Sequence, residues 1–584
     1  MQNQPNKTRI EACGPDTLRI KPGQNVSLSK IRRALQLNQL EPVVSWHSRE
    51  IYLPATVFGT VCEALESIDL EISPEVKVSR QAATKHEAFL RRGKEIIQEF
   101  VEPGAAKEAL RDFTEIDVLD AHQVEAVAIA THPDMTGLCL FDEQGLGKTI
   151  SALFTFHRLR RLEMVSAMLV LCPKNMVLEW QHDAERFFPN IYKCQTVLGT
   201  VREKRQTLNT KADIYITNFE TPVRLCLRLK DLLESQPGGF LLVVDESFYV
   251  KNTKALRSQA VRKLRKSAKR CIVLCGTPAP NRPHDLVEQF NIADNGAAFR
   301  GVTLPLDRME AIPVVQNVLR ERGVYLRRLK QDVMPNLPSK SFQQVLVPLE
   351  PVQRQLYSDK LNDLIHDLET ISDRIFKKQL ASFMAKRTRL LQICSNPVDI
   401  YSGYNETPAK LLALDSLLDE LISRRGEKVI VWSFFTASLE AILDRFSKFN
   451  PVRFDGKVQD PFIRRDAIRR FQDDDQTMLF VGNLAAAAAG LTLHRARFAI
   501  YESMSNQGAH YFQSLDRIHR RGQQREVEYI ILLCDQTIEQ SEFARLAMKE
   551  QMAQTLLGDQ VTRPLTRMDM LNEARQAASV LHGR

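Results

Sequence analysis

The sequence predicts an α/β protein made of two doubly wound parallel-sheet lobes, with a helical connector between them and a small accessory domain in front. Three observations carry this. Short apolar runs alternate with longer amphipathic stretches from about residue 119 onward, the pattern pauses between about 346 and 405, and it then resumes. At 584 residues the chain is also too long for one ordinary hydrophobic core.

Residues 1–105 fit neither set of runs. Val43–Val57 (VVSWHSREIYLPATV) suggests a few strands and Ser79–Val101 a charged helix, an accessory domain whose task the sequence does not state. The first set comprises Gly137–Phe141, Ala167–Cys172, Asp213–Thr217, Phe240–Val244 and Cys271–Cys275. Each is bounded by polar or turn residues and apolar on both faces, as strands covered on both sides of a parallel sheet must be. The second set comprises Val429–Phe434, Met478–Val481, Phe498–Tyr501 and Tyr529–Leu533. The expected division is an accessory domain at 1–105, lobe one at 106–345, a connector at 346–405, lobe two at 406–560 and a tail at 561–584.

Hydrophobic residues at 44% and charged residues at 26% place the chain among ordinary globular proteins. A net charge of +9 is compatible with a polyanionic partner without requiring one. Cys139, Cys172, Cys271, Cys275 and Cys534 sit in apolar runs and read as small core residues of a reduced compartment. Cys271 and Cys275 have no second pair at zinc-site spacing. The polar N-terminus lacks a signal-peptide core, and no apolar stretch is long enough to span a membrane, so the expectation is an intracellular soluble protein without a membrane partner. The alanine run Ala485–Ala489 reads as a small-residue helix or loop.

Three separated segments carry chemistry. Asp142-Glu-Gln-Gly-Leu-Gly-Lys-Thr149 follows a strand and precedes a helical stretch, Ile150–Leu162, the context in which backbone N–H groups cradle phosphate. Gly145, Leu146 and Gly147 form the cradle, Lys148 neutralises the terminal phosphates and the Thr149 hydroxyl holds Mg²⁺. The strict phosphate-loop pattern has glycine where Asp142 stands, so a coincidental glycine-rich turn is the alternative. Phe240–Val244 runs into Asp245-Glu246-Ser247-Phe248, and carboxylates at the end of a buried strand are costly unless used. Asp245 suits the Mg²⁺ water shell and Glu246 the attacking water, against a capping or salt-bridged acid pair. In Gln513-Ser-Leu-Asp-Arg517-Ile-His-Arg520-Arg-Gly-Gln523, one helix would put Gln513, Arg517 and Arg520 on a common face, aimed at a phosphoryl group. A solvated basic face with an Asp516–Arg520 ion pair is the alternative. Arg262–Arg270 (RKLRKSAKR) fits a localisation signal, a DNA patch or a solvated helix face.

Together, and in this order, these segments resemble the SWI/SNF-type ATPases of helicase superfamily two. The likeness runs from about Leu119 to Lys549. Leu119-Asp-Ala-His-Gln123 resembles the adenine-recognising glutamine motif, Leu171–Trp180 motif Ia and Ile216–Glu220 motif Ib. Asp245–Asn252 resembles motif II, and Gly276-Thr-Pro-Ala-Pro-Asn281 motif III. Leu326–Val333 with Leu337–Lys340 is similar to the inter-lobe signature, and Leu391–Pro397 to the connector. Phe454–Gly456, Gly490–Leu493 and Gln513–Gln523 resemble the motifs of lobe two. Three departures stand out. Phe248 replaces the family's histidine, motif V is poor in glycine, and only Ser505-Asn506 remains of the Trp-Asn-Pro before motif VI.

The resemblance implies RecA-like lobes and an ATP- and Mg²⁺-dependent ATPase. Gln123, Lys148, Thr149, Asp245 and Gln513 hold the nucleotide, Glu246, Arg517, Arg520 and Lys148 act on it, and Thr277 with Phe248 couples the site to movement. Lys174, Asn218 and Thr492 become the expected nucleic-acid contacts. The implied activity is translocation on double-stranded DNA without sustained strand separation, remodelling DNA or displacing DNA-bound proteins. The compact spacing after motif III is most similar to the fork-remodelling, strand-annealing branch, with a prokaryotic or viral setting expected before a nuclear one. A conventional unwinding helicase and a nucleotide-gated binding module with little turnover stay open as alternatives.

Overall fold

Three sheets organise the chain. The computed structural model describes all residues except 1–6, 14–16, 39, 41, 277, 279–282, 306, 459, 487–490, 505–507, 556–565 and 582–584. The first sheet contains β1 (Thr8–Ala12), β2 (Thr17–Lys21), β3 (Val43–Ser45), β4 (Glu50–Pro54) and β5 (Leu70–Ile72), in the order β3-β4-β2-β1-β5. β2 and β4 alternate buried with more exposed positions, and Ile10, Leu18, Ile20, Ile51 and Leu53 face a separate small core with Ile31 and Leu35 of the helix Leu28–Leu37. The expected strands around Val43–Val57 are β3 and β4. The 27-residue helix Glu75–Val101 leaves this core at Val76 and enters the core of lobe one through Leu90, Ile96 and Phe100.

Lobe one is a seven-stranded sheet of β6 (Gly137–Leu140), β7 (Ala167–Cys172), β8 (Cys194–Val197), β9 (Ile214–Asn218), β10 (Phe240–Val244), β11 (Arg270–Leu274) and β12 (Tyr325–Leu326). Every pairing is parallel and the order is β12-β6-β11-β10-β7-β9-β8. β6, β7 and β10 are buried at every position, which is why they read as continuous apolar runs. β11 lies between β6 and β10, so the chain leaving β11 at Gly276 emerges between the loops that follow its two neighbours.

Lobe two is a six-stranded parallel sheet of β13 (Lys340–Val347), β14 (Val429–Trp432), β15 (Val452–Phe454), β16 (Leu479–Gly482), β17 (Phe498–Tyr501) and β18 (Val527–Cys534), ordered β13-β18-β17-β14-β16-β15. β13 pairs with β18 over eight residues, so the expected end of lobe one at 345 falls inside a strand of the second sheet. The reason is local: β13 is an edge strand, mostly exposed, and lacks the double-sided apolar signal. The connector helices Pro351–Thr370, Asp373–Lys378 and Leu380–Ser395 share a core with the C-terminal helix Arg567–Leu581, where a tail was expected. Met570, Leu571, Ala574, Ala577 and Leu581 form its buried stripe. Among the described residues no helix is long and apolar enough to cross a membrane.

Candidate nucleotide site between the two lobes

The loop after β6 turns through Gly145 and Gly147, whose φ angles of 90° and 77° lie where side chains are disfavoured. A Cβ on Gly147 would come within 2.2 Å of Gln123 Nε2, so both conformation and space require glycine there. The helix Lys148–Arg161 starts directly afterwards and presents its first-turn N–H groups to the loop. Lys148 folds back along this loop, donating to the carbonyls of Asp142 (2.9 Å) and Glu143 (3.2 Å) and to Gln144 Oε1 (3.4 Å). Thr149 is half-buried in the first helical turn, and Leu146 is buried. Gln123 caps its own helix by accepting from Asp120 N–H and donates through Nε2 to the Leu146 carbonyl at 3.2 Å. Its amide therefore braces the phosphate loop, and adenine recognition would require it to exchange partners.

Asp142, the departure from the glycine pattern, has a definite task. Its carboxylate accepts from Arg328 at both oxygens, from Nε at 2.9 Å and Nη2 at 2.5 Å, and Arg328 also reaches Glu125 at 2.9 Å. A planar guanidinium thus fixes the start of the loop to the chain after β12. Arg327 Nη1 donates to the carbonyls of Phe141 (2.7 Å) and Gly276 (3.0 Å).

Asp245 and Glu246 emerge from β10 and are almost fully buried, at 4% and 3% exposure. Asp245 accepts from Trp180 Nε1 and from the Glu246 N–H, both at 2.8 Å, one on each oxygen. Burial raises its carboxyl above the usual range, against Trp180 and Lys148. Glu246 sits in the left-handed region (φ 48°) and accepts from Gln144 Nε2 at 3.2 Å. Burial, and then the Asp245 charge beside it, push its carboxyl up to about 7, while Lys148 and Arg517 pull the other way. Arg517 belongs to lobe two, so its charge reaches the site across the cleft.

The three expected residues of motif VI do not share one helix. The helix Gly508–Leu515 carries Gln513 and then ends, and Arg517 and Arg520 lie in the turns beyond it. Contacts from elsewhere in lobe two reach the carbonyls at the break. The Leu515 carbonyl accepts from the Tyr529 hydroxyl at 2.5 Å as well as from His519 N–H at 3.4 Å, and the Arg517 carbonyl accepts from Leu493 N–H at 2.9 Å, which takes the latter from a continued helix. The two arginines converge nevertheless, both donating to the Leu491 carbonyl, at 3.4 and 3.0 Å. Burial lowers the Arg517 guanidinium to about 10, which leaves it charged at neutral pH. Gln513 Oε1 is buried and has no hydrogen-bond partner among the described residues.

Residues outside the sequence expectation hold the lobes together here. Lys330 N–H donates to Glu143 Oε2 at 2.7 Å, while its Nζ donates to Asp516 Oδ1 at 2.5 Å and to the His519 carbonyl at 2.8 Å. Arg521 pairs with Asp120 at 2.9 Å. Lys330 lies in the inter-lobe signature, but only the fold shows that one buried lysine touches both the phosphate loop and motif VI.

The expected nucleic-acid contacts separate. Lys174 is exposed at the end of β7 and lines an inter-lobe cleft of about 490 Å³ with Arg464, Arg465, Phe462 and Leu491. Thr492, next to Leu491, is half-buried. Asn218 is buried, and its Oδ1 accepts from Lys204 Nζ (3.2 Å) and Thr221 (2.8 Å), which ties β9 to the neighbouring helix. Of the expected coupling pair, Phe248 packs against Tyr249 with ring centroids 4.6 Å apart, while Thr277 lies outside the described residues. Most of Ala485–Ala489, Gly490 and Ser505-Asn506 also lie outside them.

The donors fit a nucleoside triphosphate with a hard cation. Helix N–H groups and Lys148 suit phosphate, the oxygens of Thr149 and Asp245 suit Mg²⁺, and each Asp245 oxygen retains a lone pair. Fold and site therefore define a two-lobed, helicase-like ATPase. The SNF2-related domain model matches residues 122–398 and the helicase conserved C-terminal domain model matches 410–522. The chain belongs to the SNF2 family of helicase-like ATPases. It is 24% identical over 475 residues to the ISWI chromatin-remodeling complex ATPase ISW1 of Saccharomyces cerevisiae, covering 75% of this chain and 40% of that protein. It is 27% identical over 465 residues to the chromodomain-helicase-DNA-binding protein 1-like of Danio rerio, covering 76% and 44%. An ATP-dependent helicase of Mycoplasma pneumoniae is 26% identical over 436 residues, covering 72% and 40%. The chain thus spans less than half the length of these relatives. A solved Sulfolobus solfataricus SWI2/SNF2 ATPase core in complex with dsDNA superposes with a TM-score of 0.34 at 20% identity, covering 79% of this chain and 96% of that one.

Proposed function

We propose that this chain is an ATP-driven double-stranded DNA translocase that remodels DNA or DNA–protein complexes without sustained strand separation. The observation that carries the reading is that lobe two reaches the site of lobe one: Arg517 acts on the buried Glu246, and the Arg520 side chain lies against the phosphate loop, 3.6 Å from where a Cβ on Gly145 would stand. When a site is completed by residues from two lobes, nucleotide binding favours closure and hydrolysis favours opening. The chromatin-remodelling and DNA-binding names of the relatives support DNA as the track. Lys174, on the cleft wall, supplies a sequence-independent phosphate contact in this reading, and Thr492, the residue after the cleft-lining Leu491, supplies a second.

In the cycle, Lys148 leaves its loop carbonyls for the terminal phosphates, and Thr149 and Asp245 would hold Mg²⁺, which would supply charge neutralisation of the phosphates. Glu246 orients the attacking water and takes its proton, a task suited to a carboxyl near 7. Arg517 and Arg520 stabilise charge on the phosphoryl oxygens.

The test is phosphate release measured with no nucleic acid and with single-stranded DNA, duplex DNA, forked DNA and RNA. Duplex DNA is expected to raise the rate at least about tenfold, and Glu246→Gln to abolish the stimulated rate. An unchanged rate on duplex contradicts translocation. Release of a long annealed strand would identify an unwinding helicase, and tight ATP binding without turnover a nucleotide-gated module.

A further inference from the structure

Behind the two carboxylates, a buried relay links the residue after Glu246 to the chain leaving β11. Ser247 is fully buried and its Oγ donates to Gln289 Oε1 at 2.6 Å. Gln289, also fully buried in the helix Asp285–Ala293, donates through Nε2 to the carbonyls of Pro278 (2.5 Å) and Asp285 (2.8 Å). A single amide therefore bridges motif II and motif III with both of its ends.

The other side of Glu246 meets the same chain. Gly276 lies so close to Gln144 that a Cβ there would come within 2.4 Å of Gln144 Oε1, and Gln144 Nε2 donates to Glu246. Glu246 is thus held from two directions, by Gln144 at its carboxylate and by Ser247 at its backbone. Its left-handed φ of 48° is uncommon for a residue with a Cβ, so the anchoring of the next residue matters for where the carboxylate points. Phe248 packs its ring on Tyr249, and the polar link lies one residue earlier.

We infer that Ser247 and Gln289 are positioning residues that transmit a shift of the chain at Gly276 and Pro278 to Glu246, setting its aim for hydrolysis. The inference rests on the translocase reading for the source of that shift. A relay in which every polar end is used has two arrangements, bonded or broken, and does not deform smoothly. A merely structural amide would also satisfy these groups, but its loss would weaken folding and nucleotide binding together.

The experiment compares Ser247→Ala, Ser247→Thr and Gln289→Leu with the wild type by phosphate release with and without duplex DNA. Affinity for a non-hydrolysable ATP analogue and thermal unfolding are measured on the same preparations. Ser247→Ala and Gln289→Leu are expected to lower the duplex-stimulated kcat about tenfold or more, with analogue affinity and KM for ATP within about twofold. Ser247→Thr keeps the hydroxyl and should recover most of the rate. Wild-type kcat in Ser247→Ala, or a parallel loss of analogue binding, overturns the inference. Should wild-type protein show no duplex stimulation, the translocase reading fails separately, and the same criterion applied to the basal kcat still decides the role of the relay.

Discussion

Arg270 and Arg517 are both buried, both shifted down to about 10 by that burial, and employed in opposite ways. Arg270, in the basic run 262–270, donates to the carbonyls of His132 (2.8 Å) and Pro133 (2.9 Å) and also to those of Ala130 and Met135. Its neighbour Arg265 does likewise with Ile292, Ala293, Ala268 and Thr136. These guanidiniums are internal clamps, and Arg262 pairs with Glu288 at 3.3 Å. Arg517 and Arg520 share the Leu491 carbonyl and face a cleft in which Glu246, Glu179 and Asp183 feel their charge. Composition cannot separate the two segments. What separates them is whether the fold surrounds the guanidinium with its own carbonyls or leaves it facing another lobe's carboxylates.

Mutation separates the two kinds of buried arginine. Arg520→Ala should lower kcat by about 10³-fold or more, since an arginine aimed at the transferred phosphoryl is worth that much. Its urea midpoint should stay near that of the wild type, and a modest rate loss with early unfolding would make it a clamp instead. Arg270→Ala should do the reverse. Stranding several buried carbonyls costs about 3 kcal/mol, read as a lower urea midpoint, while kcat per folded molecule stays near the wild-type value. The smallest effect is the pH dependence. A base must be ionised to act, so a Glu246 carboxyl raised to about 7 makes kcat/KM climb as pH rises through 6 to 8, by about tenfold from pH 6 to the plateau. The arginines near 10 stay charged throughout, so a flat profile would mean that Glu246 does not titrate as the base.

Much of this was legible in the sequence because the chemistry sits on strands buried on both faces. β6, β7 and β10 announced themselves as apolar runs, and the groups that follow them, Gly145 to Thr149, Lys174, and Asp245 with Glu246, lie at their carboxyl ends. β13 was hidden because an exposed edge strand carries no such run, and β12 because two residues make no pattern. Gln289 was hidden for another reason. On its helix it is one polar residue among several, and only the packing of that helix against Ser247 and Pro278 gives it a task. Arg328 and Lys330 stood inside a recognised signature, yet their partners lie 186 residues away along the chain in opposite directions, at Asp142 and Asp516. Asn218 shows the converse, since a motif position expected at the nucleic acid is spent on Lys204 and Thr221.

In the proposed cycle the catalytic centre is completed only when lobe two delivers its arginines to the carboxylates of lobe one. Single-turnover phosphate release by Arg517→Ala, run beside titration of a fluorescent ATP analogue on the same preparation, tests it most directly. Analogue affinity should stay within about threefold of the wild type, with hydrolysis slower by about 10³-fold or more. Hydrolysis at the wild-type rate in that variant would contradict it, because the carboxylates of lobe one would then suffice alone.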